Sequence, residues 1–422
     1  MLEQISFNIT EKQEGIYRLN NIEIKEKVKF DENEFYLLKQ ACLDKYSNYE
    51  AWTAIGTNRQ LAYSTHGLYR YYGKFPAPIA KHLINTYTEK GDTVWDVMSG
   101  SGTTGVEAIL EGRNAVLFDV NPLSRLIARS KTTYIEKSVL LEYVNYIENN
   151  YKPLTVEEYD FYPIGLRNTE HWFLSETINS LRGIKKLIED IDDIKVKEFL
   201  YLVFLSTVRP VSKATTQQGR LFLDVESAKA DALDTFLKRA KKAIEEVSKL
   251  PNDNTVEVIE HNLKNEFKEE YNGKLKLVIA HPPYFNSYKY SSINSLELSW
   301  LGINHAEVRN EEVKEFFKIG KPEKVEVYVE DMVKCINNAL KLLDKNGVFA
   351  LMIGDTTIRN EYIPVTQMIL EKLELKDVKI EKVILREPQY TEASWAASQR
   401  RKSGKLGIEL CDFIVIFRRE ND

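Results

Sequence analysis

The chain has 422 residues, 43% apolar and 29% charged, a globular mix that excludes global disorder and collagen-like repeats. Its 58 basic and 63 acidic residues leave a formal charge of −5, which argues against coating nucleic acid by bulk charge but not against one local basic cleft. No apolar run approaches the ~18 residues that span a bilayer, and MLEQISFNITEKQEG at the start has neither a basic n-region nor an apolar h-region, so a cytoplasmic protein without membrane contact is expected.

Residues 1–65 mix charged and aromatic residues without a clear period and read as an N-terminal extension. PAPIAKHLINTYTEK then has helical texture, with Pro78 suited to a first turn. It leads through Gly91 into TVWDV, a short apolar run expected to be a buried strand. SGSGTTGVEAILEGR reads as a glycine-rich turn and a helix, and NAVLFDV as a second strand ending in Asp119. Strand, turn, helix and strand in this order form a βαβ unit, which implies a parallel sheet.

From 136 to 270 the texture changes. SETINSLRGIKKLIEDI, KVKEFLYLVFLSTV and ALDTFLKRAKKAIEEVSKL carry apolar residues at helical spacing and predict a mainly helical insertion. Residues 271–422 return to strand texture. LKLVIA runs into a Pro-Pro turn, KVEVYVEDMVKCINNALKLLDKNG predicts a helix with Gly347 just past its end, and GVFALMIGD and ELCDFIVIFRR predict buried strands. Cys42, Cys335 and Cys411 are far apart and odd in number, and they fit neither a disulfide framework nor a zinc spacing. No metal site is expected.

Asp96-Val97-Met98-Ser99-Gly100-Ser101-Gly102-Thr103-Thr104 lies between a strand and a helix, where only glycine lets the backbone turn tightly and approach a ligand closely. Asp119, at the end of the next strand, stands where a carboxylate holds ribose hydroxyls. No Lys follows the last glycine, as a phosphate cradle would need, and the G-x-G-x-x-G spacing of dinucleotide sites is incomplete. A nucleoside with a polar, zwitterionic tail fits better, with NAD as the weaker reading.

Ala280-His281-Pro282-Pro283-Tyr284-Phe285-Asn286 follows LKLVIA. Two prolines remove N–H donors and leave free carbonyls at a strand end. A carbonyl beside a side-chain acceptor can hold both hydrogens of a planar amino group while a neighbouring ring stacks on a base. The bland alternative is a rigid turn with a packed aromatic.

Together these residues resemble the S-adenosylmethionine-dependent DNA amino-methyltransferases of the N4-cytosine/N6-adenine class. DVMSGSGTTGVEA is similar to their D-P-F-x-G-S-G-T-T loop, with Val97-Met98 replacing Pro-Phe, and HPPY is similar to their [S/N/D]-P-P-[Y/F/W] motif. Tyr71, Gly73, Lys74, Phe75 and Pro76 resemble the segment that closes over the methionine end of the cofactor. KLLDKNGVFALMIGD resembles the later helix and strand of the same fold, and the likeness covers 66–135 and 271–420. It implies a Rossmann-like α/β fold with a mostly parallel seven-stranded sheet, its halves at 66–135 and 271–422 interrupted by the helical insertion, a possible target-recognition unit.

The resemblance further implies S-adenosyl-L-methionine bound by Lys74, Phe75, Asp96, Ser99, Gly100, Ser101, Gly102, Thr103, Thr104, Asp119 and Val120. His281, Pro282, Pro283 and Tyr284 would receive a base flipped from double-stranded DNA, because the amino nitrogen is unreachable in the stack. His281 departs from the family's Ser, Asn or Asp; a neutral imidazole still accepts one hydrogen bond, in one tautomer. The absence of a carboxylate or amide there leans toward cytosine N4 over adenine N6. A restriction–modification or defence setting, with a cognate restriction endonuclease as partner, is the expected context.

Arg209 and Lys213, then Gln217, Gln218 and Arg220, make a polar, basic loop expected to touch DNA, and Arg400, Arg401 and Lys402 beside Trp395 are expected to track a phosphate backbone. A solvated loop is the alternative for each. His171-Trp172-Phe173 reads as packing. Competing functions are methylation of RNA guanine N2 or of a protein glutamine, a non-catalytic cofactor-binding subunit, and, more distantly, a dehydrogenase.

Overall fold

The computed structural model describes residues 61–166, 168–217, 220–225, 230–285, 289–313, 323–358, 361–386 and 412–420, together with the backbone of short strands at 23–24, 49–52, 54–55, 402–403 and 408–409. One sheet organises the chain. Its strands are β1 (Thr93–Asp96), β2 (Asn114–Asp119), β3 (Val256–Glu260), β4 (Leu275–Ala280), β5 (Leu343–Gly354), β6 (Val378–Arg386) and β7 (Asp412–Arg419). They lie in the order β3-β2-β1-β4-β5-β7-β6, and the short strand Tyr49–Trp52 adds an eighth beside β6. All seven are parallel except β7, which runs antiparallel to both β5 and β6. This is the Rossmann-like, mostly parallel α/β sheet expected from the sequence.

The central strands are apolar at nearly every position because both faces are covered. Successive residues alternate between two cores. Leu277 and Ile279 of β4 face one core with Val94, Leu117, Ala350 and Ile414; Val278 and Ala280 face the other with Trp95, Phe118, Phe349 and Phe413. Helix α1 (Ala77–Tyr87), which carries Pro78 in its first turn as expected, covers the first face through Ile79, Leu83 and Ile84. The other face is covered by α8 (Glu323–Leu340) and α9 (Val365–Lys372), through Tyr328, Met332, Ile336 and Ile369.

Helix α2 (Thr103–Leu110) joins β1 to β2, and α3 (Pro122–Thr132) follows β2, capped by the Asn121 side chain, which accepts from Leu123 N at 3.0 Å. Between β2 and β3, helices α4 (Lys137–Asn150), α5 (Ser175–Glu189), α6 (Ile194–Val211) and α7 (Ala232–Val247) build a third core with Leu140, Ile184, Phe199, Phe204, Phe236 and Ile244. Trp300, fully buried, anchors the short helix Ser295–Trp300 in this core, and Phe173 meets it edge-on at 5.8 Å, the packing role expected for that residue.

Four local expectations differ from the structure. Val256–Glu260, inside the range read as insertion, is the edge strand of the sheet, paired with β2; its half-exposed pattern hides a parallel strand from a search for apolar runs. The stretch from Ala214 to Leu223 is a hairpin rather than a loop, with Ala214–Gln217 pairing with Arg220–Leu223. The α8 helix stops at Leu340, and Gly347 lies within β5, where a Cβ would come 2.5 Å from the Leu275 carbonyl oxygen. Gly347 thus serves close strand approach, not a helix cap. Strand β6 (VKIEKVILR) was not foreseen, because its alternating lysines and glutamate look like a solvated face.

Gly102 tests how tightly the first βαβ unit is built. Its φ is +75°, and a Cβ there would stand 2.8 Å from both Cα and Cβ of Ala128 on α3. Gly91 has φ +88° with nothing within 4 Å of a Cβ. Gly91→Ala should cost only the left-handed conformational penalty, ~1–2 kcal/mol, whereas Gly102→Ala should cost that plus overpacking, a further ~1–3 kcal/mol. Urea unfolding of the two variants checks this, and equal losses would contradict the packing account.

Candidate functional site

Asp96, Asp119, His261 and His281 stand at or just beyond the C-terminal ends of β1, β2, β3 and β4, where parallel α/β sheets place ligands. They open into one cleft of about 820 Å³ of empty space, also lined by Tyr71, Phe75, Ser99 and Gly100. The turn after β1 is held by backbone bonds: Val97 N donates to Ile279 O at 3.0 Å, Ser99 N to Phe118 O at 3.0 Å, and Gly102 N to Ser99 O at 2.8 Å. Gly100, at φ +50°, aims its N–H at the Asp119 carboxylate, 2.8 Å away.

Of the residues expected to bind a cofactor, Lys74, Phe75, Asp96, Ser99, Gly100, Ser101, Asp119 and Val120 line the cleft. Gly102, Thr103 and Thr104 stand behind it. Thr104 Oγ1 donates to Asp96 at 2.5 Å, and Met98 N donates to the other Asp96 oxygen at 3.1 Å. Asp119 accepts from Asn121 N at 2.8 Å as well as from Gly100. Burial pushes both carboxyls up despite these donors, Asp96 to about 7 and Asp119 to about 6.

Behind the turn lies a buried polar network. Glu107 on α2 accepts from the Tyr63 hydroxyl at 2.5 Å and pairs with His66 Nε2 at 2.6 Å. Burial raises the Glu107 carboxyl to about 8 and drives the His66 imidazole well below its ordinary range. Lys131 donates to the Ser101 carbonyl at 2.8 Å, and Lys74 donates to the His66 carbonyl at 2.6 Å. Lys74 thereby ties the segment before α1 to this network while touching the cleft.

The Pro-Pro turn lies on the same cleft. His281 and Pro283 line it; His281 packs on Phe75 with ring centroids 5.4 Å apart and meets Tyr284 edge-on at 5.3 Å. The His281 Nε2 to Tyr284 hydroxyl distance is 3.3 Å. Tyr328 on α8 donates to the Pro283 carbonyl at 2.8 Å, fixing the turn against the sheet. Pro282 and Tyr284 are buried in the turn itself.

One basic residue of the insertion is placed differently from expectation. Arg209, expected to reach DNA, is committed internally: it donates to Glu297 at 2.9 and 2.8 Å, to Thr216 Oγ1 at 2.7 Å and to the Ile293 carbonyl at 2.7 Å. Lys213 is half-buried and donates to the Glu170 carbonyl at 2.6 Å. The side chains of Arg220 and Lys402, and all of Gln218, Arg400, Arg401 and Trp395, lie outside the described residues, as do Cys42 and Cys411. Cys335 is buried in α8, its thiol pushed up to about 12 by burial, far from any nucleophilic role. Among the described residues there is no cluster that could hold a metal and no helix long and apolar enough to cross a membrane.

Sequence reasoning missed Asn121, His261, Asn262, Leu263, Tyr290, Glu311, Glu312 and Val313, all on the cleft wall. His261 to Leu263 follow β3, so recognising that strand would have found them. Tyr290 stacks on Tyr71 at 5.8 Å, and no sequence signal marks it or Glu312.

The residues present fit a nucleoside with a polar tail. Ser99 Oγ is buried on the cleft wall without a hydrogen-bond partner, and Asp119 offers a carboxylate at the second strand end. The raised Asp119 carboxyl binds its proton more tightly in the folded chain than in the unfolded one. Its stabilising effect is therefore full below pH ~4 and is lost as pH rises through about 6. In the ligand-free protein, the stability of Asp119→Asn relative to wild type should improve between pH 4.5 and pH 8, by on the order of 2–3 kcal/mol. Thermal unfolding across that range checks it, and a pH-independent difference would sink the assignment.

Residues 7–128 match the family model N6_N4_Mtase, described as DNA methylase. The chain is 26% identical over 310 residues to Type II methyltransferase M.MvaI of Kocuria varians, covering 65% of this chain and 66% of that protein. It is 26% identical over 287 residues to Type II methyltransferase M.BsoBI of Geobacillus stearothermophilus, covering 58% of this chain and 54% of that one. It thus spans less than two thirds of the length of these relatives. Among solved structures, the likeness to the rRNA methyltransferase aviRa of Streptomyces viridochromogenes is slight, with a TM-score of 0.30 at 10% identity over 82% of this chain and 86% of that one. The strand order, not this likeness, defines the fold. With its glycine turn and HPPY turn on one cleft, the chain is similar to the DNA amino-methyltransferases of the N4-cytosine/N6-adenine class, in the family match over residues 7–128 and in its Type II methyltransferase relatives.

Proposed function

We propose that the chain transfers a methyl group from S-adenosylmethionine to the exocyclic amino nitrogen of a base flipped out of double-stranded DNA, cytosine N4 ahead of adenine N6. One observation carries this reading: His281 of the catalytic turn and Ser99–Gly100 of the cofactor turn line the same cleft, at the ends of the adjacent strands β4 and β1. When bound, the cofactor supplies an electrophilic methyl group on a sulfonium. Gly100, Asp96 and Asp119 position it, and Phe75 covers the side of the cleft nearest His281.

The base enters from the His281 side. The Pro282 carbonyl accepts one amino hydrogen, and the His281 nitrogen left unprotonated accepts the other, which directs the amino lone pair at the methyl carbon. Bound there, the cofactor would supply the methyl carbon, its C–S electrons leaving with the sulfur, and His281 or water would take the proton that the methylated nitrogen sheds. Holding the two centres in line is the main catalytic contribution, because the leaving sulfur is already cationic. Tyr284 packs against His281 and Tyr328 holds the Pro283 carbonyl, which keeps the acceptor pair in register.

The insertion between β2 and β3 supplies sequence reading in this proposal, with Lys213 and Arg220 near the DNA and Arg400, Arg401 and Lys402 along its phosphates. The Type II methyltransferase relatives support a restriction–modification role; a cognate endonuclease as partner and a place in the cytoplasm complete this proposal. Incubation with labelled S-adenosylmethionine and mixed genomic DNA, then digestion to nucleosides and mass spectrometry, should give N4-methylcytosine or, failing that, N6-methyladenine. His281→Ala should lower kcat by ~10²–10⁴-fold while S-adenosylhomocysteine still binds. Label appearing only in RNA or protein would overturn the DNA reading.

A further inference from the structure

Glu312 stands on the cleft wall, yet neither the glycine turn nor the Pro-Pro turn includes it. It follows the short helix His305–Glu311 and is 8% exposed. Its oxygens accept from Asn121 Nδ2 at 3.2 Å and from the Ser291 hydroxyl at 2.9 Å, and the Ser291 backbone N–H also bonds the carboxylate. All of these donors are neutral. Asn121 in turn donates its backbone N–H to Asp119 at 2.8 Å, so a single residue bridges the two carboxylates.

Each carboxylate oxygen can accept two hydrogen bonds. Asp119 receives Gly100 N on one oxygen and Asn121 N on the other; Glu312 receives Asn121 on one oxygen and the Ser291 hydroxyl on the other, with the Ser291 N–H as a third donor. Both carboxylates therefore keep an acceptor position open, and both side chains line one cleft. A buried carboxylate held only by neutral donors is costly unless further donors complete it. If Glu312 merely fastened Asn121 to Ser291, a neutral amide oxygen would serve. A second carboxyl beside Asp119 suits a ligand that brings more than one hydroxyl.

We propose that Glu312 is a second acceptor for the ribose hydroxyls of the bound nucleoside, taking one hydroxyl while Asp119 takes the other. The inference rests on the cofactor reading above and extends it. The ribose is gripped from both halves of the chain, Asp119 from the β2 end and Glu312 from the segment that follows the catalytic turn. Ser291 and Asn121 act as positioning residues, holding the Glu312 carboxylate toward the cleft.

The test measures binding of S-adenosylhomocysteine to the full chain by calorimetry, for wild type, Glu312→Gln and Ser291→Ala, alongside the 2′-deoxy and 3′-deoxy forms of the same ligand. Glu312→Gln should weaken binding of the parent ligand about tenfold or more. Its penalty should shrink to under about threefold with the deoxy ligand that lacks the hydroxyl Glu312 holds. Ser291→Ala, which leaves the carboxylate in place, should show a smaller loss with the same dependence on that hydroxyl. A merely structural Glu312 would weaken every ligand equally, and that result, or unchanged binding in both variants, would overturn the assignment. Failure of the wild-type chain to bind S-adenosylhomocysteine at all would overturn the cofactor reading itself, and the assignment with it.

Discussion

The Asp119 carboxylate holds the site together. Through two backbone N–H groups it joins the end of β2 to the glycine turn at Gly100 and to the start of α3 at Asn121. Asn121 then caps α3 and reaches Glu312, so one half-buried acid ties together the glycine turn, the start of α3 and, through Asn121, a segment almost two hundred residues on. Burying a charge is expensive unless hydrogen bonds compensate, and these donors compensate only in part, as the raised carboxyl shows. Asp96 is in the same situation beside it. The cleft thus holds a polarity that the fold alone does not satisfy, as expected of a surface built to meet a polar ligand.

A second tie joins the insertion to the half of the chain that carries the Pro-Pro turn. Arg209, near the end of α6, grips Glu297 in the short helix after the Pro-Pro turn, and both side chains are largely buried. Burial alone would lower the guanidinium's proton affinity; Glu297 outweighs it and raises it. Removing one partner of such a pair strands the other charge, at roughly 3–5 kcal/mol. The same segment carries Tyr290 against Tyr71, Trp300 in the insertion core and Glu312 on the cleft wall. The insertion therefore reaches the cleft through this packed segment.

Much of this architecture is written in local sequence. The apolar runs of β1, β2, β4, β5 and β7 are readable because central parallel strands bury both faces, and the DVMSGSGTT turn because glycine and acid must sit at fixed places around a strand end. The edge strand β3 and the charged β6 escaped because strands with one half-wet face have no continuous apolar signature. Arg209 misleads for a related reason. Arginine beside proline and lysine suggests an exposed basic loop, but the partner that buries it, Glu297, lies 88 residues away. The wall residues Tyr290 and Glu312 are set by tertiary packing alone, and nothing within their own segments distinguishes them.

The placement of the insertion also bears on how the sheet assembles. Thr255, at the start of β3, bonds to Asn114 on β2 across 141 residues of sequence. Closing a flexible loop of that length costs ~4 kcal/mol in chain entropy. An insertion that has already formed its own core brings the two ends together as a nearly rigid staple and removes most of that penalty. Damage deep in the insertion, far from the cleft, would then loosen β3 first and carry His261, Asn262 and Leu263 off the cleft wall, so such a lesion would be felt at the β3 side of the cleft.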